Sequence, residues 1–491
     1  MKSRTLTCIT AITLFAALAI PIQATAQHTR YKLIDIGTFG GPQSFSFFGQ
    51  ARSLNNGGTL VGFADTSTPD PNYPNSNPLV GADPFIEHGF SWRKGTLTDL
   101  GALPGINSSN VSWVNDQGVP AGVSTTGNVD PLLGFPAANA VVWVKGHIFN
   151  LGTLDGGYES LATAINNRGQ IAGFASNSTP DPISLFGLGT QTRAFLWQNG
   201  TMRDLGTLGG PDAAALLMNN RGQIAGFSYE SSLAIAAFVW ENSKMLNLGS
   251  FGGSFTAPSW LSNRGQVVGA SNLSGDTTAH PFLWTKAEGM KDLGTLGGTF
   301  GSANWVNENG EVVGAATNQG DEALVAFLWK NNVMTNLGTL DGDPCSVAIN
   351  INSKGQVVGA SVTNCFSDSG RAFLWENSGP MIDLNSFVPG GSDLILTQGA
   401  YINDRGEILA TGVLPNGDTR SVLLVPCGKG TEGCQDVVEG TAAIQKNRAP
   451  VTNSAITRTR RRLTPGQMLS AWRDRMGHRH HIPGFIASPR D

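Results

Sequence analysis

Residues 165–173 read Ile-Asn-Asn-Arg-Gly-Gln-Ile-Ala-Gly, and Ala194-Phe195-Leu196-Trp197 and Asp204-Leu205-Gly206 follow them along the chain. The same succession recurs eight times: an apolar stretch, an Asn-x-x-Gly turn, a second apolar stretch, an Ala-Phe-Leu-Trp-like stretch and an Asp/Asn-Leu-Gly ending. The turns begin at Asn55, Asn115, Asn166, Asn219, Ser262, Asn307, Asn352 and Asn403. Asn or Ser at the first position and Gly at the fourth fit a type I turn between antiparallel strands. Each repeat therefore predicts one small sheet of four strands.

Two further positions recur in register with the turn. Four residues after the turn glycine comes a small residue, at Gly62, Gly122, Gly173, Gly226, Gly269, Gly314, Gly359 and Ala410. A small residue inside a strand predicts a close backbone approach or a β-bulge. The third stretch ends at Trp92, Trp143, Trp197, Trp240, Trp284, Trp329 and Trp375. An aromatic side chain in register in each of these repeats predicts a packing layer.

The ends of the repeat region indicate a closed ring. The eighth repeat lacks its Asp/Asn-Leu-Gly ending, and a copy of that ending, Asp35-Ile36-Gly37, precedes the first complete repeat. A linear solenoid has no reason to begin with the last quarter of its repeat, whereas closure removes exposed sheet edges. Trp spacings of 43 to 54 residues fit propeller blades. We therefore predict an all-β fold: residues 27–436 form an eight-bladed β-propeller, and residues 31–37 complete the blade of residues 400–425. A seven-bladed ring or an open β-solenoid is the alternative.

The repeated phrases resemble those of the bacterial HAF family of probable extracellular repeat proteins, over residues 31 to 425. The His-Ala-Phe phrase that names the family is loose here: His88-Gly89-Phe90, His280-Pro281-Phe282, Arg193-Ala194-Phe195 and Arg371-Ala372-Phe373. The variable first position argues against a shared catalytic histidine. The resemblance implies export and a repeat fold, and it transfers no chemistry onto particular residues.

Both ends of the chain differ in composition from the repeats. Residues 1–26 have a basic start, an apolar run and Ala24-Thr25-Ala26, as expected of a secretory signal peptide, which predicts an extracellular or periplasmic protein. No later apolar run approaches the roughly 20 residues that span a bilayer. Residues 437–491 hold ten Lys or Arg and three acidic residues, a charge of +7. Because the whole chain carries −4 and residues 1–26 carry +2, residues 27–436 carry −13. We expect a flexible basic tail, with a short helix after Thr464-Pro465, on an acidic disc.

Four cysteines remain after signal cleavage, and an even number in an exported chain favours disulfides. Cys345 and Cys365 flank the Asn352 turn at nearly equal distances, so we expect them to pair across the hairpin. Cys427 and Cys434 bracket a short loop and form the second predicted pair.

The connections between the second and third strands are long only in the first three repeats. Counted from the small residue of the second strand to the end of the third stretch, they span 30, 21 and 24 residues there, against 14 to 16 in the other five. Because loops on a rigid scaffold commonly carry function, we expect these three neighbouring loops to contact a ligand. The predicted contacts are Asp70, Tyr73, Asp83, Asp130, Phe135, Asp181 and Phe186, with further carboxylates at Asp65 and Glu87. Carboxylates beside aromatic rings suit a polysaccharide, a peptide, another envelope component or a hard cation. Calcium is the metal that fits these ligands, and we expect no organic cofactor. The alternative is that Asp and Pro only shape long solvated loops.

Two classes of function remain. The preferred one is a noncatalytic binding or scaffold module, because the chain has no Gly-x-Ser-x-Gly elbow, no His-Glu-x-x-His and no Walker phosphate loop. The other is an extracellular hydrolase or lyase that acts on a glycan or peptide at the same loops. Carboxylates roughly 5 to 9.5 Å apart in a pocket would favour glycoside chemistry. Specific nucleic-acid binding does not fit an acidic exported disc.

Overall fold

The computed structural model describes residues 29–46, 51–363, 365, 370–389 and 392–428. Within them, 32 strands form four-stranded antiparallel units arranged as the eight blades of a β-propeller. The predicted all-β fold, the propeller and its eight blades are confirmed. The predicted signal peptide, residues 1–26, and the basic tail, residues 437–491, lie outside the described residues.

In each of the first seven blades the strands follow one another in chain order, from the innermost to the outermost. The first four blades are β2 (Gly40–Phe45), β3 (Leu60–Pro69), β4 (Phe85–Arg93), β5 (Thr96–Asp99); β6 (Ser109–Val114), β7 (Pro120–Val129), β8 (Pro136–Val144), β9 (His147–Asn150); β10 (Ser160–Ile165), β11 (Ile171–Pro180), β12 (Thr190–Gln198), β13 (Thr201–Asp204); and β14 (Gly209–Met218), β15 (Ile224–Glu230), β16 (Ile235–Glu241), β17 (Lys244–Asn247). Blades five to seven are β18 (Gly252–Leu261), β19 (Val267–Leu273), β20 (Ala279–Thr285), β21 (Gly289–Asp292); β22 (Gly297–Val306), β23 (Val312–Asn318), β24 (Leu324–Lys330), β25 (Val333–Gly338); and β26 (Cys345–Ile351), β27 (Val357–Val362), β28 (Arg371–Trp375), β29 (Ile382–Asp383). Two short 3₁₀ helices, Gln319–Asp321 and Leu384–Phe387, interrupt the connections.

The eighth blade is built from both ends of the repeat region. It comprises β30 (Ile395–Ile402), β31 (Ile408–Val413), β32 (Thr419–Pro426) and β1 (Tyr31–Asp35). Strand β1 pairs antiparallel with β32, with Leu33 opposite Leu424. The ring is therefore closed by the amino-terminal strand, as its displaced Asp-Ile-Gly ending predicts.

The Asn of the repeated turn has a second role, which is to join neighbouring blades. Within the turn, its side-chain oxygen accepts backbone N–H groups, as Asn166 does from Arg168 and Gln170. Its side-chain amide donates to the backbone carbonyl of the equivalent turn residue in the next blade. The donors are Asn55, Asn115, Asn166, Asn219, Asn307, Asn352 and Asn403. Ser262 of blade five, whose side chain is shorter, stands in place of the eighth Asn.

The recurring strand glycines mark close backbone approaches, as predicted. A Cβ at Gly226 would lie 1.9 Å from the carbonyl oxygen of Ala214, and the neighbouring strand has a bulge there. In blade eight Ala410 of the second strand is opposite Gly399 of the first, and a Cβ at Gly399 would lie 3.0 Å from the Cβ of Val358 in blade seven. The close approach at Gly399 is therefore to the neighbouring blade.

The Asp or Asn of the Asp/Asn-Leu-Gly ending is an acceptor for its own backbone. The side chain of Asp204 accepts the N–H of Gly206 at 2.8 Å, and Gly206 has a φ of 81°. Asp99 and Asn150 make the same bond, which explains why Asp and Asn alternate: only the acceptor oxygen is needed.

The first position of the loose His-Ala-Phe phrase pairs with that ending. His88 contacts Asp99 at 3.0 Å and His280 contacts Asp292 at 2.8 Å. Arg193 and Arg371 face Asp204 and Asp383 in the same way. In blade two, where the ending has Asn150 rather than Asp, the partner is the neutral Asn139. The histidines, like the two arginines, therefore link the third strand of the blade to its outer strand.

A disulfide joins Cys345 to Cys365, as predicted, with the two Cα atoms 5.3 Å apart. Cys434, the predicted partner of Cys427, lies outside the described residues, so the second bridge stays a prediction. No helix among the described residues is long and apolar enough to cross a membrane.

Candidate functional site

The two ends of the ring carry different loops. Because the strands of each blade alternate in direction, the Asn-x-x-Gly turns all lie at one end, which we call the turn face. The connections between the second and third strands lie at the other end, together with the crossings from blade to blade. We call this end the insertion face, since it carries the long connections of blades one to three. The parts of these connections that lie between the strands are residues 70–84, 130–135 and 181–189, which we call the three long loops.

The three long loops begin with the same turn. Asp70, Asp130 and Asp181 each precede a proline, and each accepts, through Oδ1, the backbone N–H of the residue two positions later. These bonds are 2.8, 2.7 and 3.0 Å long. The three aspartates therefore share a structural role in shaping the loops, which was the alternative interpretation of the sequence pattern.

The structure divides the seven predicted ligand contacts into two groups. Asp130, Asp181 and Phe186 are buried, at 1%, 5% and 1% exposure. Phe186 belongs to the core, where its ring stacks on Phe174 with centroids 4.2 Å apart. The remaining four, Asp70, Tyr73, Asp83 and Phe135, reach the surface, and Tyr73 is the most exposed. Ligand binding by these residues stays a prediction. Because Asp130, Asp181 and Phe186 are buried, it now concerns only the four that reach the surface.

The loop of blade one is bonded to the two blades that follow it. The side chain of Asn75 donates to the carbonyl of Gly134 in the second loop at 3.0 Å. Asn77, which is buried, donates to the carbonyl of Pro136 and to Glu159 of the third blade's crossing. The loops of blades one and two are thus one continuous structure.

Buried pairs of carboxyl groups connect the second and third loops to the blades after them. Asp130 lies beside Glu159, and Asp181 lies beside Asp212. Burial raises the pKa of Glu159 to about 8 and that of Asp212 to about 6, and the partner carboxyl adds to each effect against the neighbouring N–H donors. The raised pKa favours the neutral, protonated form of Glu159 and of Asp212, which costs less to bury than a charged carboxylate.

A third acidic group lies under the loop of blade one. One oxygen from each of Asp65, Asp83 and Glu87 lies within 4.8 Å of the other two. Burial raises the pKa of Asp65 to about 7, with Asp83 adding to the effect, and it raises the pKa of Glu87 well above its usual range. Glu87 was one of the additional carboxylates noted in the sequence, but neither it nor Asp65 was among the seven predicted contacts. Their direct opposition across two strands is the signal that would have found them.

Apolar side chains are concentrated on this part of the insertion face. Eleven large apolar side chains are exposed among the described residues. Five of them lie in the loops or crossings of blades one to three, namely Tyr73, Ile106, Leu132, Tyr158 and Ile183, and a sixth, Val129, ends strand β7 beside the second loop. Asp70 and Asn72 line a small pocket together with Ile106, which places polar and apolar groups side by side. Exposed apolar side chains concentrated among polar groups are typical of an interaction surface.

The turn face has a pocket of its own, at the mouth of the central channel. Its volume is about 150 Å³, and its floor is formed by Trp113, Trp260, Trp305 and Tyr401. The rings of Trp260 and Trp305 stack with their centroids 3.3 Å apart, and none of the four residues is more than 9% exposed. These rings fill the channel and pack against each other, so this pocket is the end of an aromatic plug.

Comparisons with known proteins find solved structures that resemble the chain at low sequence identity. No protein-family model matches it, and no curated protein matches it. Solved structures that it is similar to include TolB from Acinetobacter baumannii, at 13% identity and a TM-score of 0.31, over 53% of this chain and 64% of that one. Another is the β-propeller domain of the Trilobed protease from Pyrococcus furiosus, at 9% identity and a TM-score of 0.38, over 67% of this chain and 96% of that one. A third is a puromycin-hydrolyzing peptidase of Mycobacterium tuberculosis, at 11% identity and a TM-score of 0.40, over 79% of this chain and 61% of that one. The chain thus spans less than two thirds of the TolB chain, and at these identities the likeness concerns the fold alone.

Proposed function

We propose that the protein is an exported, noncatalytic member of the HAF repeat family that acts as a binding or scaffold module for a polysaccharide. The contact surface is the insertion face of blades one to three. The observation that carries this proposal is the concentration of exposed apolar side chains on the three long loops and the adjacent crossings.

The chemistry of the accessible residues suits a sugar chain. Tyr73 is 50% exposed, and it follows Asp70 and Asn72, whose carboxylate and amide can bond hydroxyl groups. Leu132 and Ile183, on the second and third loops, extend the surface past the edge of blade one. An aromatic ring that packs on the apolar face of a sugar, with polar groups that orient it, is a common arrangement in ligand sites.

Three features support a binding role over catalysis. The aspartates of the long loops are engaged in turns, and Asp130 and Asp181 are also paired with other carboxyls. His88 and His280 are paired with aspartates of the outer strands. The signal-like residues 1–26 and the Cys345–Cys365 disulfide support export, because disulfides persist in oxidising compartments.

The first test is a retention assay on immobilised peptidoglycan, pectin and xylan, with the eluate analysed for released oligosaccharide. The variant to compare replaces the exposed Tyr73, Leu132 and Ile183 by alanine and keeps the buried loop residues, Phe186 among them. We expect the mature protein to be retained on one of these polymers without releasing product, and the triple variant to fold but to be retained less. Equal retention of the two proteins would refute the insertion face as the contact surface. Released oligosaccharide that disappears in Asp70→Asn would assign the protein to the hydrolases or lyases instead.

A further inference from the structure

The acidic group under the loop of blade one differs from the other two buried acid pairs. Asp65 on β3 and Glu87 on β4 are directly opposite each other, and they are 0% and 5% exposed. Like charges directly opposite across two strands are destabilising. The equivalent cross-strand pairs of blades two to six and eight contain no acidic residue, so the repeat itself does not require this arrangement.

The hydrogen bonds within the protein leave this group incomplete. Oδ2 of Asp65 accepts the N–H of Gln43 at 2.9 Å, whereas its buried Oδ1 has no partner in the described part of the chain. No salt bridge between described residues reaches Asp65, Asp83 or Glu87; the nearby Arg420 is directed to Asp35. Buried oxygens of Glu159 and Asp181 also have no partner there, so what sets this group apart is that three carboxylates converge, which occurs nowhere else among the described residues.

The spacing of the three carboxylates fits a single calcium ion. Calcium binds six to eight oxygens at about 2.4 Å, so two oxygens on opposite sides of one ion are about 4.8 Å apart. The three carboxylates place their oxygens within this limit. Asp83 is only partly buried, which gives the site a path to solvent and leaves room for water ligands.

We propose that Asp65, Asp83 and Glu87 bind one calcium ion at the base of the blade-one loop. Two of the ligands lie on paired strands and the third lies in the loop, two residues before β4. Calcium would therefore fix the end of residues 70–84, which also carry Asp70 and Tyr73. This proposal concerns the ion alone and does not depend on the polysaccharide.

The test is calorimetric titration of calcium chloride into the metal-free mature protein, together with thermal unfolding. We expect one ion per chain, with an affinity of about 0.1 to 1 mM as in other extracellular calcium sites, and a melting temperature that rises with calcium. Asp83→Asn, at the partly exposed ligand, should weaken binding about tenfold or more, and Glu87→Gln should abolish it. Asp212→Asn is the matched control, because it alters a buried carboxyl that is bonded to Leu185 and Thr192 of blade three, and its calcium affinity should equal that of the wild type.

A structural readout keeps the test decisive if the buried variants do not fold. Crystals of the wild-type protein soaked in terbium chloride should show an anomalous peak between the three carboxylates. No heat of binding up to about 10 mM calcium, well above the usual range for such sites, would overturn the proposal. So would an anomalous peak only elsewhere, or calcium binding that is unchanged in Asp83→Asn.

Discussion

The side-chain amide of Asn403 donates a hydrogen bond of 3.1 Å to the backbone carbonyl of Asn55, 348 residues earlier in the chain. This bond crosses the seam where the last blade meets the first. It is the same bond that six other turn asparagines make to their neighbours, so the seam is closed by the repeat's own chemistry as well as by strand β1.

The inter-blade bond can be separated from the turn by substituting serine, which blade five already has. In Ser262 the hydroxyl still accepts the N–H groups of Arg264 and Gln266 within the turn. We therefore expect Asn403→Ser to keep the turn and lose the bond to Asn55, which lowers the free energy of unfolding by about 0.5–1.5 kcal/mol, the net contribution of one hydrogen bond. The carbonyl of Asn55 still accepts the N–H of Gly58. Ser262→Asn should have the opposite sign, with a gain of about 0.5–1.5 kcal/mol. Urea unfolding of both variants measures this, and equal stabilities would show that the ring of amides contributes nothing.

Removal of strand β1 tests the closure at the level of a whole strand. Deletion of residues 31–37 leaves β32 as an unpaired edge and exposes the apolar side of the eighth blade. We expect a lower melting temperature for the entire propeller and a tendency to aggregate, since exposed edges pair with other chains. An unchanged melting curve and a monomeric elution profile would contradict closure through this strand.

The strand glycines predict a position-dependent cost. Gly226→Ala places a methyl group 1.9 Å from the carbonyl oxygen of Ala214, and we expect it to destabilise the protein by about 2–4 kcal/mol as an overpacked core change. Ala410→Gly in blade eight should cost about 1 kcal/mol or less, because this position already accommodates a methyl group and the change mainly adds backbone freedom to the unfolded chain. Similar losses for the two variants would show that the crossing does not require a single glycine.

Much of the fold could be predicted from the sequence because the same local pattern recurs from blade to blade. The turn Asn, the strand Gly and the displaced ending all have local physical reasons. The loops could not be predicted to the same depth, because their decisive contacts join residues of different blades. Asp130 meets Glu159 and Asp181 meets Asp212 only when the blades pack, and this packing buries two aspartates that the sequence suggests as ligands. Phe186 is similar: an aromatic residue in a long loop suggests a contact surface, but its ring completes the core beside Phe174.

The buried acid pair at Glu159 predicts how stability depends on pH. The pKa of Glu159 is raised to about 8 in the folded protein, mainly by burial, above its ordinary value of 4.5, so between these values the folded state holds a proton that the unfolded state has released. Stability should therefore fall as pH rises from about 4.5 to 8, by at most about 1.4 kcal/mol per pH unit. Glu159→Gln should flatten this part of the profile. A difference in stability between wild type and variant that stays constant over this range would contradict the raised pKa of Glu159.

The central claim, that the protein holds its ligand on the insertion face, is tested most directly with two triple variants of matched exposure. One replaces Tyr73, Leu132 and Ile183 of the long loops by alanine, and the other replaces Phe149, Leu246 and Val333 of the outer strands. The exposures are 50%, 56% and 47% in the first set and 50%, 46% and 61% in the second, so both remove comparable surface. The measurement is the dissociation constant for the polysaccharide that retains the wild-type protein. We predict that it rises about tenfold or more for the loop variant, as when one or two contacts of about 1 kcal/mol are lost, and stays unchanged for the outer-strand variant. The reverse result, or equal losses in both, would contradict the account.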